Sequence, residues 1–352
     1  VVGLVLFLLA LPSAGASAAV PEGPRLTLME WKLKKPGAAL LVSVAADGSG
    51  RRRLVGGGKI EPTLFGAASW SADGSSFAFS ASSRGYGEKA KSKIYLASAD
   101  VTDIRPVPGT VGGTDPVLSP DGASIAFSRT RMHFKFNPKH PLDFHSYAST
   151  SAWTVRLGEP GSRRLSPWRN GLHVSPTAFS PDGSRLALER IQSAEGGPEV
   201  LVRDIGSGAT MLLAREAEGA AFSPDGTRIA LISYRDRVVS EANGDGPRSI
   251  GELYVANADG SGLRRLTHTP EWQESDPSWD PSGQRLAYTR SSAAEWIVLA
   301  ISNLVMEINA DGTCATTVLG KPRPKNSLDV AAALYAPTWQ LGSGREAGPI
   351  SC

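Results

Sequence analysis

The chain is short of the residues that most often announce chemistry. Two cysteines, Cys314 and Cys352, occur in 352 residues, which excludes a cysteine-built metal module and a disulfide-dense scaffold. Histidine is nearly as scarce at five. No G-x-S-x-G run exists, so the strained nucleophile turn of α/β-hydrolases is missing. Neither sign of charge prevails, with 37 basic against 34 acidic residues, and no nucleic-acid partner is implied. No apolar run is long enough to span a bilayer comfortably. The longest, residues 1–11, is followed by small residues ending in Ala16-Ser17-Ala18. That pattern reads as a signal peptide over residues 1–18 and predicts a secreted or periplasmic chain, with an uncleaved anchor as the alternative. Residues 21–352 are expected to form one domain, monomeric and without stable membrane insertion after cleavage.

Turn formers are what the chain has in plenty: 38 glycines and 25 prolines, spaced between apolar runs. One turn recurs. It reads Trp70-Ser71-Ala72-Asp73-Gly74, then Leu118-Ser119-Pro120-Asp121-Gly122, and returns at 179–183, 222–226 and 279–283, with a degenerate copy from Trp339. Copies about 40 to 60 residues apart are the mark of a radially repeated β architecture. Proline presets φ early in the turn and glycine accepts the left-handed conformation at its end. Each copy therefore predicts a hairpin between an inner strand A and a strand B. The repeated Asp residues read as turn formers rather than metal ligands.

After the turns come Phe77-Ala78-Phe79, Ile125-Ala126-Phe127, Leu186-Ala187-Leu188, Ile229-Ala230-Leu231 and Leu286-Ala287-Tyr288. Residues two apart share a strand face, and the alanine between them leaves room for a neighbouring sheet. Strands C and D follow, as in ELYVANADGSGLRRLT at 252–267. The N-terminal segment offers B, C and D strands without an A, and the C-terminal APTW offers an A without a B. The expected fold is all-β: a six-bladed propeller of four-stranded antiparallel blades, its ring closed by the C-terminal A strand joining the N-terminal blade.

Residues 253–290, LYVANADGSGLRRLTHTPEWQESDPSWDPSGQRLAYTR, closely resemble the repeat of TolB-like propellers, as do PVLSPDGASIAFSR at 116–129 and AFSPDGSRLALER at 178–190. The resemblance implies a six-bladed β-propeller. The family's best-known member is periplasmic and binds partner proteins near the central opening. That member carries an α/β domain before its propeller, whereas only a few residues separate Ala18 from the first predicted strand. The resemblance thus speaks for the fold rather than for a place in the Tol envelope complex. The same repeat also forms the non-catalytic part of some serine peptidases.

Insertions gather between B and C strands, on the face where the D–A connections open. Two of those connections carry Asp115-Pro116 and Asp276-Pro277, and His173 and Glu218 lie at corresponding points. Asp115, His173, Glu218 and Asp276 are the candidate lining of a central mouth that receives a peptide, a cation or a small ligand. Asp as a turn cap before Pro is the alternative. No cofactor is expected, a channel cation being the one candidate. His133, His140 and His145, with Asp143 nearby, are weak metal candidates, since their spacings match no zinc signature; a surface loop is expected there. Trp70, Trp279 and Trp339 are expected to fill wedges between blades. Arg52, Arg163 and Arg264 open Arg-Arg pairs or triplets that would charge the outer strand edges. Cys314, in a predicted C–D turn, is expected to form a disulfide with Cys352. These features predict a non-enzymatic propeller binding a protein or peptide partner. The alternatives are a metal-dependent, lactonase-like hydrolase and an accessory propeller of a peptidase system.

Overall fold

Antiparallel hairpins laid down in chain order build the molecule. The computed structural model describes residues 24–31, 39–56, 60–62, 68–83, 92–136, 144–192, 196–240, 248–292, 303–320, 333–340 and 349–352, all strand, turn or irregular, with no helix among them. The first group is β1 (Arg25–Trp31), β2 (Ala39–Ala45) and β3 (Arg52–Val55). The second is β4 (Ile60–Pro62), β5 (Ser69–Trp70), β6 (Ser76–Ser83), β7 (Ser92–Ser98) and β8 (Ile104–Pro106). Next come β9 (Gly113–Leu118), β10 (Ser124–Phe136), β11 (Phe144–Arg156) and β12 (Arg163–Arg164). They are followed by β13 (Leu172–Phe179), β14 (Arg185–Gln192), β15 (Glu199–Asp204) and β16 (Thr210–Arg215). The fifth group is β17 (Ala217–Phe222), β18 (Arg228–Ser233), a small ribbon of β19 (Val239–Ser240) and β20 (Arg248–Ser249), then β21 (Glu252–Asn257) and β22 (Arg264–Arg265). The last is β23 (Trp272–Trp279), β24 (Arg285–Ser292), β25 (Asn303–Asn309) and β26 (Thr316–Leu319), after which β27 (Ala333–Gln340) returns to the start. There it pairs antiparallel with β1, Leu26 opposite Trp339 and Met29 opposite Tyr335, in a sheet ordered β27-β1-β2-β3.

The ladders differ from the expected six separate four-stranded sheets. Three sheets are separate and four-stranded, but β9 to β16 share one eight-stranded sheet and β4 to β8 form a five-stranded one. The physical reasons are local. The segment expected as a surface loop, residues 132–145, opens in the strand period, and the β10–β11 hairpin runs into it, from Ser124↔Arg156 to Phe136↔Phe144. Where the hairpin outgrows its group, β11 touches β13 through a single parallel bridge, Thr150↔His173. In the second group the innermost position is split between β4 and β5, both paired to β6.

Burial follows the large–Ala–large triplets. Phe77, Ala78, Phe79, Ile125, Ala126, Phe127, Leu186, Ala187, Ile229, Ala230, Leu231, Leu286, Ala287 and Tyr288 are all essentially inaccessible. Each alanine packs against the next group: Ala78 with Ile125 and Phe127, Ala126 with Leu186 and Leu188, Ala187 with Ile229 and Leu231. Ala230 meets Leu286 and Tyr288, and Ala287 meets Leu26 and Leu28.

A second device repeats at the turns. The residue two beyond the turn glycine is Arg185, Arg228 or Arg285, and its guanidinium lies over the aromatic ring near the end of the next inner strand: Phe222 at 5.1 Å, Trp279 at 4.5 Å and Trp339 at 5.3 Å. Arg228 Nη2 also donates to the Gly283 carbonyl at 2.7 Å. The wedge position expected for the tryptophans is the one they occupy, and Trp70, Trp279 and Trp339 are buried. The turn Asp residues are consumed locally. In the third copy Asp182 accepts from Ser180 Oγ at 2.5 Å and from the Ser184 amide at 3.1 Å. These bonds, Ser180 first, hold its carboxyl down to about 2.

Cys314 and Cys352 form a disulfide, with Cα atoms 5.1 Å apart. The tail is also held by Asn309, whose Nδ2 donates to the Ile350 carbonyl at 3.0 Å and whose Oδ1 accepts the Ile350 amide at 2.7 Å. Cys352→Ser is expected to lower stability by about 2 kcal/mol. That is the low end of the usual range, because the tail beside it is half-buried or exposed. Wild-type protein unfolded in a thiol reductant should reproduce the loss; equal denaturant midpoints for all three samples would refute it.

Candidate functional site: a carboxylate-lined central channel

The inner strands β5, β9, β13, β17, β23 and β27 surround a cavity of about 760 Å³. Pro120, Pro181, Pro224 and Pro281 of the repeated turns line it, as do Trp70, Phe179, Phe222, Trp279 and Trp339 at or one residue before the strand ends. Deeper in the strands come small residues and Asp115, Glu189 and Asp276. No lysine, arginine or histidine occurs among the described lining residues.

A repeated bulge sets the acidic positions. Register slips at Asp115-Pro116 on β9, within Glu218-Gly219-Ala220 on β17, at Asp276-Pro277 on β23 and at Ala336-Pro337 on β27. Proline withholds an amide from the ladder there, and the residue before it adopts positive φ: 49° at Asp115, 54° at Asp276, 50° at Ala336. Asp tolerates that conformation better than most residues. On β17 the positive φ falls on Gly219 instead, at 62°. A bulge re-aims the side chain beside it, and here it presents Asp to the channel. The sequence expectation placed these aspartates in connections ahead of the inner strands. They lie inside the strands, at their bulges.

Four carboxylates share the region, one from each of four consecutive groups: Asp115 on β9, Glu189 on β14, Glu218 on β17 and Asp276 on β23. Thr114 Oγ1 donates to Asp115 Oδ2 at 3.0 Å, and Ser275 Oγ donates to Asp276 Oδ2 at 2.9 Å. Tyr234 donates its hydroxyl to Glu218 Oε1 at 2.6 Å and accepts from Gln273 Nε2 at 3.2 Å. The Gly219 amide reaches Glu189 Oε2 at 3.4 Å. Burial pushes all four carboxyls upward. Mutual repulsion adds to it, and Glu189 is pushed up to about 7 by burial first, then by Glu218, Asp276 and Asp115.

No protein-family profile matches the chain, and no curated protein matches it. Solved structures do. The crystal structure of TolB from Acinetobacter baumannii superposes over 90% of this chain and 67% of its own, with a TM-score of 0.64 and 18% identity. A chain of the nidogen/laminin complex superposes over 91% of this chain and 100% of its own, with a TM-score of 0.56 and 12% identity. The fold is a β-propeller. At these identities the likeness speaks for the fold alone. The oligogalacturonate lyase of Vibrio parahaemolyticus is a looser match, at 12% identity and a TM-score of 0.46 over 74% of this chain and 73% of its own.

The propeller does not gather every sequence candidate at its channel. Asp115 and Asp276 line it, and Glu218 stands beside the lining residue Gly219 with its carboxylate turned to Tyr234. His173 is not among the lining residues: its Nδ1 meets Thr150 Oγ1 at 3.0 Å, beside the parallel bridge. His133 and His145 fall on the long hairpin, opposite Tyr147 and Lys135. His140 and Asp143 lie outside the described residues, as do residues 1–18. Arg52, Arg163 and Arg264 are on outer strands, and Arg264 reaches onward to the carbonyls of Asp311 and Ala310.

Sequence reading missed Glu189, which sits in a B strand. Its signal was visible: at this point of the repeat Phe127 is followed by Ser128 and Tyr288 by Thr289, where Leu188 is followed by a carboxylate.

Proposed function

We propose that this is an exported, monomeric, six-bladed β-propeller that binds a protein or peptide partner in its central channel and at the loop-bearing mouth. Six blades follow if the eight-stranded sheet is counted as two four-stranded blades sharing the Thr150↔His173 bridge, and the split inner strand of the second sheet as one. Six hydrophobic clusters, each between neighbouring strand groups, support that count. The observation that carries the binding reading is the channel itself. About 760 Å³ of space is lined by proline and aromatic walls with convergent carboxylates, the mixture of apolar wall and few placed polar groups that marks a binding cavity. Proline and bulged strands give a stiff frame, so a bound segment meets a preformed site.

A photo-crosslinking amino acid at Thr177, which lines the channel, tests the reading. In an envelope extract of the producing cells it should yield one discrete adduct that the same residue placed at the exposed turn residue Glu159 does not. Identical adduct patterns at the two positions, or none from Thr177, would overturn it.

A further inference from the structure

The crescent of carboxylates is more than an acidic surface, because two buried hydroxyls beside it complete no hydrogen bond of good geometry. Ser128 lies opposite Thr114, and Thr289 opposite Ser275, so the two sites are built alike on β9–β10 and β23–β24. Both residues are almost fully buried, at 1% and 2% exposure. Their hydroxyls stand near enough to Asp115 and Asp276 to favour the ionised carboxylates. Yet no group lies in hydrogen-bonding geometry to either oxygen. Native interiors rarely leave such atoms alone. Four carboxylates, two hydroxyl oxygens free to accept and no basic residue in the described lining together ask for a cation carrying several N–H donors. A bare metal ion fits less well, since among the described residues no three His, Cys, Asp or Glu side chains are grouped to hold one.

We propose that the crescent of Asp115, Glu189, Glu218 and Asp276 receives a cationic side chain, a guanidinium or an ammonium, presented by an extended segment of the partner; this rests on the reading that the channel binds a peptide. A guanidinium offers five donors in a plane and pairs with more than one carboxylate at once. An ammonium offers three on a flexible stem. The aromatic and proline walls nearer the turns accommodate the apolar stem and its neighbours. Docking the cation favours the ionised carboxylates, so protons leave as it binds and affinity rises with pH until all four groups are ionised. Tyr234, the other titratable group facing the cluster among the described residues, stays protonated: burial first, then the charge of Glu218, pushes its hydroxyl well above the ordinary tyrosine range.

The probes are N-acetyl-arginine amide, N-acetyl-lysine amide and the uncharged N-acetyl-citrulline amide, titrated calorimetrically into the whole chain at pH 6 and pH 8, with calcium chloride as a separate arm. Arginine or lysine amide should bind at least about tenfold tighter than citrulline amide, more tightly at pH 8, with proton release visible as a buffer-dependent heat. Glu189→Gln and Asp276→Asn should each weaken that binding roughly tenfold. Equal binding of arginine and citrulline amides, no binding of either cation, or saturation by calcium alone would each overturn the proposal. The two readings fail separately. Adducts from Thr177 without cation binding leave the peptide channel standing and remove its charge preference. Cation binding without adducts leaves a cation site and removes the partner.

Discussion

Trp279→Ala is expected to destabilise the protein by about 3–5 kcal/mol, the range for emptying a buried aromatic site. The ring ends β23 and is 4% exposed. Its Nε1 donates to the Ala221 carbonyl on β17 at 3.0 Å, and Arg228, from β18, lies 4.5 Å over its face. Truncation therefore opens a void between two neighbouring blades, strips a partly buried carbonyl of its donor and leaves the guanidinium without its platform. Trp279→Phe keeps most of the apolar area and loses the ring nitrogen, and should cost about 1–2 kcal/mol. Arg228→Ala should cost about as much, through the lost stacking and the lost bond to Gly283. Because the ring and the guanidinium act on each other, the double variant should fall short of the sum of the singles by about 0.5–1 kcal/mol. The measurement is the urea midpoint of each variant at constant slope. A cost below about 1 kcal/mol for Trp279→Ala, or strict additivity with Arg228→Ala, would mean that the ring is not a blade-to-blade anchor.

The same residues show what the sequence made legible and what it hid. Turn composition and the large–Ala–large triplets depend on chain-local rules, so the hairpins, the buried B strands and the return of the final strand to β1 were readable from letters alone. The arginine staples were just as periodic, at 185, 228 and 285, but their partner ring belongs to the next repeat, and no rule of strand propensity ties the two. Separate sheets were expected where the chain fuses two groups, because a parallel bridge between Thr150 and His173 depends on how far a hairpin overshoots its neighbours. The site was half visible. Asp before Pro flagged Asp115 and Asp276, yet the bulge that turns them inward is a matter of register, and a one-residue slip in register decides which face a side chain takes. Glu189 was hidden for another reason: it stands one strand removed from the inner wall, on β14 opposite Ser175, and still lines the channel.

Glu189→Gln should stabilise the protein at pH 8 and leave it unchanged near pH 4. In the folded chain burial, then Glu218, pushes the Glu189 carboxyl from the usual 4.5 up to about 7. Between those values the folded state holds a proton that the unfolded state has released. Stability from this group is therefore fully present below about pH 4.5 and is lost as pH rises through 7, where folding must carry a buried charge. Glutamine cannot ionise, so the variant escapes that loss. The gain at pH 8 is about 3 kcal/mol if the whole shift is expressed, seen as a melting temperature higher by a few degrees. Glu218→Gln should move stability the same way by less, because it also gives up the charged acceptor of the Tyr234 hydroxyl. Asp182→Asn supplies the opposite sign. Its carboxyl is held down to about 2 by Ser180 and Ser184, so its contribution is present above about pH 4 and disappears as pH falls through 2. That variant should be the less stable one at neutral pH. Melting curves from pH 4 to pH 8 decide the matter: a Glu189→Gln gain of the same size at both ends would trace the effect to packing, and the crowding of unpaired carboxylates in the channel would lose its thermodynamic signature.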